Sequence, residues 1–483
     1  MPASFLFYDL ETFGADPRRT RIAQFAGIRT DLELNPVEDP ISFFVQPAGD
    51  LLPAPMATLI TGITPQDARR EGVNEAEAFA RILDAMGRPG TCSAGYNSIR
   101  FDDEFIRYGL YRNFFDPYER EWRDGNSRWD LLDALRLMHA LRPDGIVWRQ
   151  REDGKGTSFK LEHLAEDNGL REGDAHEALS DVRATIAVAR LFRQAQPRLW
   201  DYALRLRDKR HVQSLLRVTA PEPLLHVSQK YPATRLCAAP VLALAEHPKY
   251  PTRVIAFDLD TDPEPLLALD ADAIAARLFV RREDLPEGET RIALKEIHTN
   301  KCPALVPWAH LRAADFNRLG INPDAVERNA ARLRTAGPAL AEKLRRVFDR
   351  EREFASEDVD AALYGSFIPD SDKRLLAQVR ATPPQRLADA GFPFRDSRLP
   401  ELLFRYRARN WPQTLTLDEQ ARWTDYRRQR LLDGNGGAEL TLAQYRAEID
   451  ELRVQRGDDA RALALLDQLT IWGDALASEI GSD

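Results

Sequence analysis

An almost continuous apolar run at residues 5–8 (FLFY) leads directly into residues 9–12 (DLET). A short run without two-residue alternation is typical of a strand that is buried on both faces, as in an α/β protein. Side chains two apart on a strand point to the same side, so Asp9 and Glu11 place two carboxylates together. Ligands bind at the carboxyl ends of strands in open α/β sheets. The sequence therefore predicts an α/β fold with an acidic site, although a strand that merely ends in polar residues would look the same.

Two carboxylates this close repel each other unless a cation neutralises them. Mg²⁺ prefers hard oxygen ligands such as these. The only cysteines, Cys92, Cys237 and Cys302, lie far apart in the chain. Their spacing argues against a structural zinc site, and their small number fits a reducing cytosol.

The chain has 483 residues, which is too long for one ordinary domain. We predict an α/β domain at 1–195, a small β-rich domain punctuated by prolines at 196–350, and a helical domain at 355–480. Further strands are predicted at 22–30, 41–46, 91–95, 254–259 and 291–294, and helices at 74–86, 127–141, 159–167 and 176–194.

A second acidic segment, residues 95–103 (GYNSIRFDD), follows a predicted short strand and enters a helix that Asn97 is predicted to cap. Phe101 and Phe105 form an (i, i+4) pair that would seat this helix on the sheet. We expect Asp102 to lie near the interior beside this pair and Asp103 to point further out. Acidic residues are also ordinary in a first helical turn, where they favour the helix dipole.

A third element is His176, which is followed five residues later by Asp181 on the apolar edge of a predicted helix. An isolated pair of this kind is more often structural than catalytic. In order and in rough spacing, however, the three elements resemble the three-motif signature of the DEDD nuclease superfamily, in its histidine-containing branch. That resemblance implies a ribonuclease H-like exonuclease fold.

The resemblance implies a catalytic site of five residues: Asp9, Glu11, Asp102, Asp181 and His176. The four carboxylates would hold two Mg²⁺ ions, for which Mn²⁺ can substitute, and Glu11 would also contact the substrate. His176 would be the general base, since an imidazole has a pKa near neutrality and can accept the proton of the attacking water.

Other segments extend the resemblance over essentially the whole chain, to the bacterial exonuclease I family: 59–65 (LITGITP), 126–133 (NSRWDLLD), 158–164 (SFKLEHL), 300–303 (NKCP) and 402–410 (LLFRYRARN). It implies an α/β exonuclease domain followed by an SH3-like β-domain and a C-terminal helical domain. The implied activity is processive 3′→5′ hydrolysis of single-stranded DNA to 5′-mononucleotides, in DNA repair and recombination.

The resemblance also implies contacts with single-stranded DNA from Arg107, Tyr118, Trp122, Arg136 and Lys160. Cations on phosphates and aromatic rings on bases suit such a strand. Lys160 stands where the family pattern has arginine, so the charge is kept but the bidentate fork is lost. From the sequence alone, core packing is an equally good explanation for Tyr118 and Trp122.

Two more groups are implied by the resemblance alone. Lys295, His298 and Lys301 would line the strand path, whereas His163, inside an apolar helix, is expected to be structural. A pocket for the acidic C-terminal tail of single-strand DNA-binding protein would use Arg142, Tyr202 and Arg334, with an arginine on the terminal carboxylate.

Residues 402–430 have a local charge of +4, whereas the whole chain carries −9. Five aromatic residues are interleaved with the seven arginines 405, 407, 409, 422, 427, 428 and 430. This composition is typical of a nucleic-acid track. Arginines that pair with acids elsewhere in the chain would look the same, and both explanations stay open.

Three alternatives to a DNA exonuclease remain: a DEDD exonuclease acting on RNA 3′ ends, a catalytically inactive nucleic-acid-binding protein, and a polymerase proofreading subunit. The long region after residue 195 argues against the last. No apolar run approaches the roughly 18 residues that would span a bilayer, and no signal peptide is visible. We therefore expect a cytoplasmic monomer with no membrane partner.

Overall fold

The computed structural model describes residues 3–170, 177–350, 358–435 and 437–481, with the backbone only at residue 282. The chain forms two compact units. The first comprises Met1–Ser127, Glu172–Arg183 and Phe354–Asp483, and the second comprises Arg128–Arg171 and Ala184–Glu353. Within the described ranges, no helix is both long enough and apolar enough to span a bilayer.

The sheet of the first unit is built around the apolar run at the start of the chain. Four of its five strands lie entirely within this unit: β1 (Ser4–Thr12), β2 (Ile22–Thr30), β3 (Ile41–Phe44) and β4 (Thr91–Gly95), in the order β3-β2-β1-β4. Strand β1 is antiparallel to β2 and parallel to β4, and its run is buried on both faces as predicted. The pairing with β2 shifts between Glu11 and Thr12, at the carboxyl end of β1.

Helices α1 (Pro55–Thr61), α2 (Pro65–Glu71), α3 (Glu75–Met86) and α4 (Asp102–Arg112) complete the N-terminal segment. Asn74, predicted as the first residue of this helix, is its N-cap and accepts the backbone N–H of Glu77. The predicted cap of α4 is wrong, because the N-cap position is Phe101 and Asn97 has a left-handed φ of 61°.

The second unit carries an antiparallel sheet whose strands are, in spatial order, β10 (Ala304–Pro307), β6 (Leu224–Val227), β7 (Ala238–Glu246), β8 (Arg253–Asp258) and β9 (Leu294–His298). The predicted helix at 127–141 is wrong in its first four residues, which form a strand, and Asp130 then caps the helix. The strand predicted at 291–294 begins only at Leu294. The elements are β5 (Ser127–Asp130), α5 (Leu131–Leu141), α6 (Leu161–Asp167), α7 (Ala178–Ala195, whose first six residues belong to the first unit), α8 (Pro197–Arg205), α9 (Lys209–Leu215), β6 (Leu224–Val227), β7 (Ala238–Glu246), β8 (Arg253–Asp258), α10 (Glu264–Ala268), α11 (Ala271–Leu278), β9 (Leu294–His298), β10 (Ala304–Pro307), α12 (Ala313–Leu319) and α13 (Pro323–Phe348).

The C-terminal part of the first unit is helical, as predicted. Its helices are α14 (Asp370–Ala381), α15 (Arg398–Asn410), α16 (Leu417–Leu431), α17 (Leu442–Gln455) and α18 (Ala460–Glu479). They share apolar cores with the N-terminal segment: one core contains Leu52 with residues of α17 and α18, and another contains Tyr111 with residues of α14 and α15. The two ends of the chain therefore fold as one unit.

Candidate active site

Three carboxylates converge at the carboxyl end of β1. Asp9 and Glu11 come from the strand and Asp181 comes from the first turn of α7. Each offers an oxygen that lies within 4.8 Å of the other two. Glu11 is buried, and Asp9 and Asp181 are half-buried. The structure thus brings together the two strand acids and the helix acid that the sequence pattern singled out.

The mutual repulsion of the three carboxylates favours the binding of a cation between them. Burial, together with the charges of Asp9 and Asp181, raises the pKa of Glu11 to about 9. Burial and the charge of Asp181 likewise raise the pKa of Asp9 well above its ordinary value. Like charges disfavour each other's ionised forms, and a divalent cation among the oxygens removes that penalty. An all-oxygen donor set of this kind fits a hard cation such as Mg²⁺.

Glu177 is a residue of this site that sequence reasoning missed. Its carboxylate accepts backbone N–H groups at the start of α7, from Leu179 at 3.4 Å and Ser180 at 2.8 Å. Its charge also contributes to the raised pKa of Glu11. The sequence does contain a signal for this role, because Glu177 is an acidic residue directly before a helical segment, and such residues cap helix N-termini. By fixing the first turn of α7, Glu177 fixes the turn that carries Asp181.

The second acidic segment agrees with the expectation for Asp102, which lies in the interior, but not with the expectation for Asp103. Asp102, the first residue of α4, is buried and does not belong to the 4.8 Å group. The prediction that Asp103 points outward is wrong, because it is only 1% exposed. Its Oδ1 accepts the Tyr8 hydroxyl at 2.7 Å and a guanidinium N–H of Arg120. Asp103 therefore ties α4 to β1 one residue before Asp9.

The predicted aromatic pair is present, with the rings of Phe101 and Phe105 5.0 Å apart. His176, the expected general base, lies outside the described residues.

Three of the expected DNA contacts belong to the first unit. Arg107 donates from Nε and Nη2 to the two carboxylate oxygens of Glu121, at 2.7 and 2.9 Å. A third bond runs from its Nη1 to Glu104 at 3.0 Å. Tyr118 is half-buried against an apolar cluster, whereas Trp122 is 64% exposed. Core packing therefore accounts for part of Tyr118 but not for Trp122.

The other two lie together in the second unit. Arg136 and Lys160 line one pocket of about 1010 Å³. Arg136 donates to Asp133 at 2.8 Å and Lys160 to Glu162 at 3.0 Å. Sequence reasoning missed two more cations that line this pocket, at positions 151 and 230. Basic residues in loops have no distinctive local sequence pattern, so the sequence did not predict these two cations as part of a site.

The residues expected along the strand path lie on or beside β9 in the second unit. The Nζ atom of Lys295 is 3.2 Å from the centre of the Tyr231 ring. Burial and the neighbouring charge of Lys230 lower the pKa of Lys295 to about 7. Burial also lowers the pKa of His298 to about 4. His163 bonds to Ser158 through Nδ1 at 2.8 Å, as a structural histidine would.

The three residues of the expected partner pocket each have an intramolecular partner in the second unit. Arg142 pairs with Asp315 at 2.6 Å. The Tyr202 hydroxyl donates to the carbonyl of Leu305 at 2.7 Å, and Arg334 pairs with the side chain of residue 222 at 2.9 Å. The side chains of Arg142 and Arg334 are only partly buried, so both retain some solvent access.

The arginines of residues 402–430 are committed to partners within the first unit. Each forms an ion pair with a carboxylate, and four of them are buried. The structure therefore supports the second of the two explanations, internal pairing, over a nucleic-acid track. The pairs are Arg405 with Asp358, Asp360 and Glu401, Arg407 with Glu419, Arg409 with Asp50 and Asp360, Arg422 with Glu401, Arg427 with Glu479, Arg428 with Asp425, and Arg430 with Asp50.

Family models match three consecutive stretches of the chain. An exonuclease model matches residues 6–189, the exonuclease I SH3-like domain matches 207–350, and the exonuclease I C-terminal domain matches 357–476. The first match contains all three motifs with the carboxylate cluster.

The similarity to individual relatives covers nearly the full length of this chain and of each relative. Exodeoxyribonuclease I of Escherichia coli is 44% identical, over 98% of this chain and 98% of its own. The structure of an exonuclease I from Methylocaldum szegediense is 49% identical, with a TM-score of 0.94 over 98% of this chain and 99% of that one. The zinc-bound form of the E. coli exonuclease I–ssDNA complex is 43% identical, with a TM-score of 0.93 over 98% and 100%.

The expected fold class and enzyme class are confirmed by these matches, since the three family models occur in the predicted order and the relatives are exodeoxyribonucleases. With its buried acidic strand end and a likeness that runs through all three regions, the chain belongs to the exonuclease I family of exodeoxyribonucleases.

Proposed function

We propose that the protein removes nucleotides one at a time from the 3′ end of single-stranded DNA and releases 5′-mononucleotides processively. The observation that carries this proposal is the convergence of Asp9, Glu11 and Asp181 within 4.8 Å, in a chain of the exonuclease I family. The complex of the E. coli relative with ssDNA supports the choice of substrate.

We propose Mg²⁺ as the resident metal, with two ions per site, and Mn²⁺ as its substitute. Asp9, Glu11 and Asp181 would hold the ions together with Asp102. Bound there, the ions would neutralise charge on the scissile phosphate and acidify a water molecule. The E. coli relative has a zinc-bound form, which supports a metal in this family, and the raised pKa of Glu11 supports a cation among these carboxylates.

The chain's own groups would supply the proton transfer and the alignment. His176 would accept the proton of the attacking water, as a neutral imidazole can near pH 7. Glu177 would hold the first turn of α7 in place through its bonds to Leu179 and Ser180. The bond from Tyr8 to Asp103 would fix the direction in which β1 presents its acids.

We propose that the strand contacts Glu11, Arg107, Tyr118 and Trp122 on the first unit, and Arg136 and Lys160 on the second. Support for the last two comes from the pocket that they share. Arg107 is already hydrogen-bonded to Glu121 and Glu104, which fix the position of its guanidinium group and partly neutralise its charge. It would therefore contact the DNA strand from a fixed position and not as an unpaired cation.

We further propose that the protein acts as a cytoplasmic monomer of three domains, at 1–195, 196–350 and 355–480, in DNA repair and recombination. The C-terminal tail of single-strand DNA-binding protein would bind Arg142, Tyr202 and Arg334. Arg142→Ala should weaken binding of a peptide with that tail sequence, measured by fluorescence anisotropy. Unchanged affinity would remove this pocket.

The proposed function is tested by a time course with end-labelled single-stranded DNA, matched duplex DNA and single-stranded RNA, with Mg²⁺ or with EDTA. Asp181→Ala is the matched inactive variant. We expect mononucleotides from the 3′ end of the single-stranded DNA only, and none with EDTA or in the variant. A preference for RNA would move the protein to another substrate class. Binding without any cleavage would identify a catalytically inactive protein.

A further inference from the structure

A cleft of about 470 Å³ in the first unit shares no lining residue with the carboxylate cluster or with the expected DNA contacts. It is lined by the C-terminal part of α3, by the residues that directly follow this helix and by the segment that follows α4. Leu83 and Phe115 form an apolar part of the lining, and three arginines line the same cleft: Arg88, Arg120 and Arg123. The proposed nuclease site therefore does not account for this concentration of guanidinium groups.

Arg120 is a buried cation whose hydrogen-bonding capacity is only partly used. It is 2% exposed, and its Nη2 donates to Oδ1 of Asp103. Its Nε and Nη1 atoms are buried and have no hydrogen-bond partner among the described residues. Burial alone would lower the pKa of Arg120, but the charge of Asp103 raises it, so the guanidinium group stays charged. A buried charged donor without an acceptor costs free energy, which a ligand that accepts from it would recover.

Two polar neighbours in the lining of the cleft are already engaged elsewhere. The side chain of Asn126 accepts one backbone N–H at 2.9 Å and donates to one backbone carbonyl at 3.4 Å. The carboxylate of Glu119 pairs with Arg123 at 2.5 Å. A ligand with oxygen acceptors is therefore the partner that suits Nε and Nη1 of Arg120.

The other two arginines are available to such a ligand. The side chains of Arg88 and Arg123 are 43% and 55% exposed, and their ion pairs with Glu38 and Glu119 are of the weak surface kind. Guanidinium groups bind phosphate oxygens through several N–H groups at once. Asp84 and Glu119 also line the cleft, and their charges would repel a long polyanion such as a DNA strand. A single phosphate group is small enough to contact the arginines alone.

We propose that this cleft is a binding site for a single phosphate group, held by Arg120 at its buried end and by Arg88 and Arg123 at its exposed side. The ligand is inorganic phosphate or the phosphate monoester of a nucleoside, whose base would lie on the apolar part of the lining, Leu83 and Phe115. The site is separate from the proposed path of the DNA strand, and the inference does not depend on the proposed nuclease activity.

Isothermal titration calorimetry of the full chain with inorganic phosphate, in EDTA and at constant ionic strength, measures this binding. Arg123→Ala removes an exposed contact, and Ala80→Phe adds a ring at an exposed lining position and leaves the bond from Arg120 to Asp103 in place. Arg81→Ala is the matched control, because Arg81 is similarly exposed and also pairs with a glutamate four residues earlier, but does not line the cleft. We expect saturable binding that is roughly tenfold weaker in both cleft variants and unchanged in the control.

Thymidine 5′-monophosphate and thymidine, titrated in the same way, identify the source of the phosphate group. Equal affinities for inorganic phosphate and the monophosphate support the proposal with free phosphate as the ligand. Tighter binding of the monophosphate, again weakened by Ala80→Phe, supports it with a nucleotide as the ligand. If thymidine binds as tightly as its monophosphate, the phosphate group contributes nothing and the proposal fails.

A crystal structure of the full chain grown with inorganic phosphate locates the ligand directly. We expect a phosphate oxygen about 3 Å from Nε or Nη1 of Arg120. Two results would overturn the proposal: no saturable binding to the wild type, or binding that Arg123→Ala and Ala80→Phe leave unchanged. In the second case the phosphate lies elsewhere, as in the basic pocket of the second unit that Arg136 and Lys160 line.

Discussion

Arg409→Met should destabilise the protein severely, because it leaves two buried carboxylates without their main partner. Arg409 donates to Asp50 from Nε at 3.1 Å and from Nη2 at 2.7 Å, and to Asp360 from Nη1 at 2.9 Å. All three side chains are almost fully buried. Removing one partner of a buried ion pair costs about 3–5 kcal/mol when the remaining charge is left uncompensated. Asp50 keeps Arg430 at 3.6 Å and Asp360 keeps Arg405 at 3.0 Å, so we expect a loss towards the lower end of that range.

Urea unfolding of Arg409→Met, followed by circular dichroism, measures this loss of free energy of unfolding. The matched control is Arg446→Met, which removes an exposed pair with Asp474 in the same unit and should cost about 0–1 kcal/mol. A loss no larger than that of Arg446→Met would refute the reasoning.

Three further predictions concern pH, chemistry and binding. Burial alone would raise the pKa of Asp50, but Arg409 and Arg430 hold that pKa well below its usual range. The ionised Asp50 therefore stabilises the fold above about pH 4, and this contribution is lost as the pH falls further, which is measured by comparing the acid unfolding of the wild type with that of Asp50→Asn. The pKa of Glu11 is raised to about 9 and that of Asp9 is raised well above its ordinary value, so Mg²⁺ binding near neutrality releases protons from these carboxylates. Calorimetry between pH 6 and 8 should therefore show affinity rising at least about tenfold per pH unit, and an affinity independent of pH would contradict this. His176→Ala should retain Mg²⁺ and DNA binding but lose about 100-fold or more in single-turnover cleavage, and near-normal turnover would exclude His176 as the general base.

The strand and its acids could be predicted because their signals are local. The apolar run at 5–8 identifies a buried strand, and two-residue spacing alone places Asp9 and Glu11 on one side. Likewise, the helix predicted at 74–86 is present as Glu75–Met86. Placing Asp181 beside the two strand acids needed the superfamily resemblance, since nothing local brings residues so distant in sequence together.

What the sequence could not reveal depends on distant partners. Asp103 looked like an outward-facing helix-start acid, yet it is buried because Tyr8, 95 residues earlier, and Arg120 both bond to it. Arg409 is separated from Asp50 by 359 residues, so composition could not show that its charge is cancelled. The local charge of residues 402–430 was therefore compatible with a nucleic-acid track, whereas in the folded unit the same arginines form a network of ion pairs.

The same network implies that the C-terminal helices cannot be removed to leave a minimal exonuclease. Leu52, Tyr108, Tyr111 and Phe114 of the N-terminal segment are buried in cores completed by residues beyond 358. Exposing four such side chains costs about 6–12 kcal/mol at 1.5–3 kcal/mol each, which is comparable with the whole stability of a domain. Deletion would also strip Asp50 of both its arginines.

A chain ending at residue 353 should therefore be insoluble or lack a cooperative thermal transition, and it should not hydrolyse the p-nitrophenyl ester of thymidine 5′-monophosphate. The full chain assayed in parallel is the control. If the helices served only as a clamp on the strand, the shortened protein would stay folded, keep ester hydrolysis and lose only processivity on long DNA. That outcome would show that the shared cores and the buried ion pairs contribute far less to folding than their burial implies.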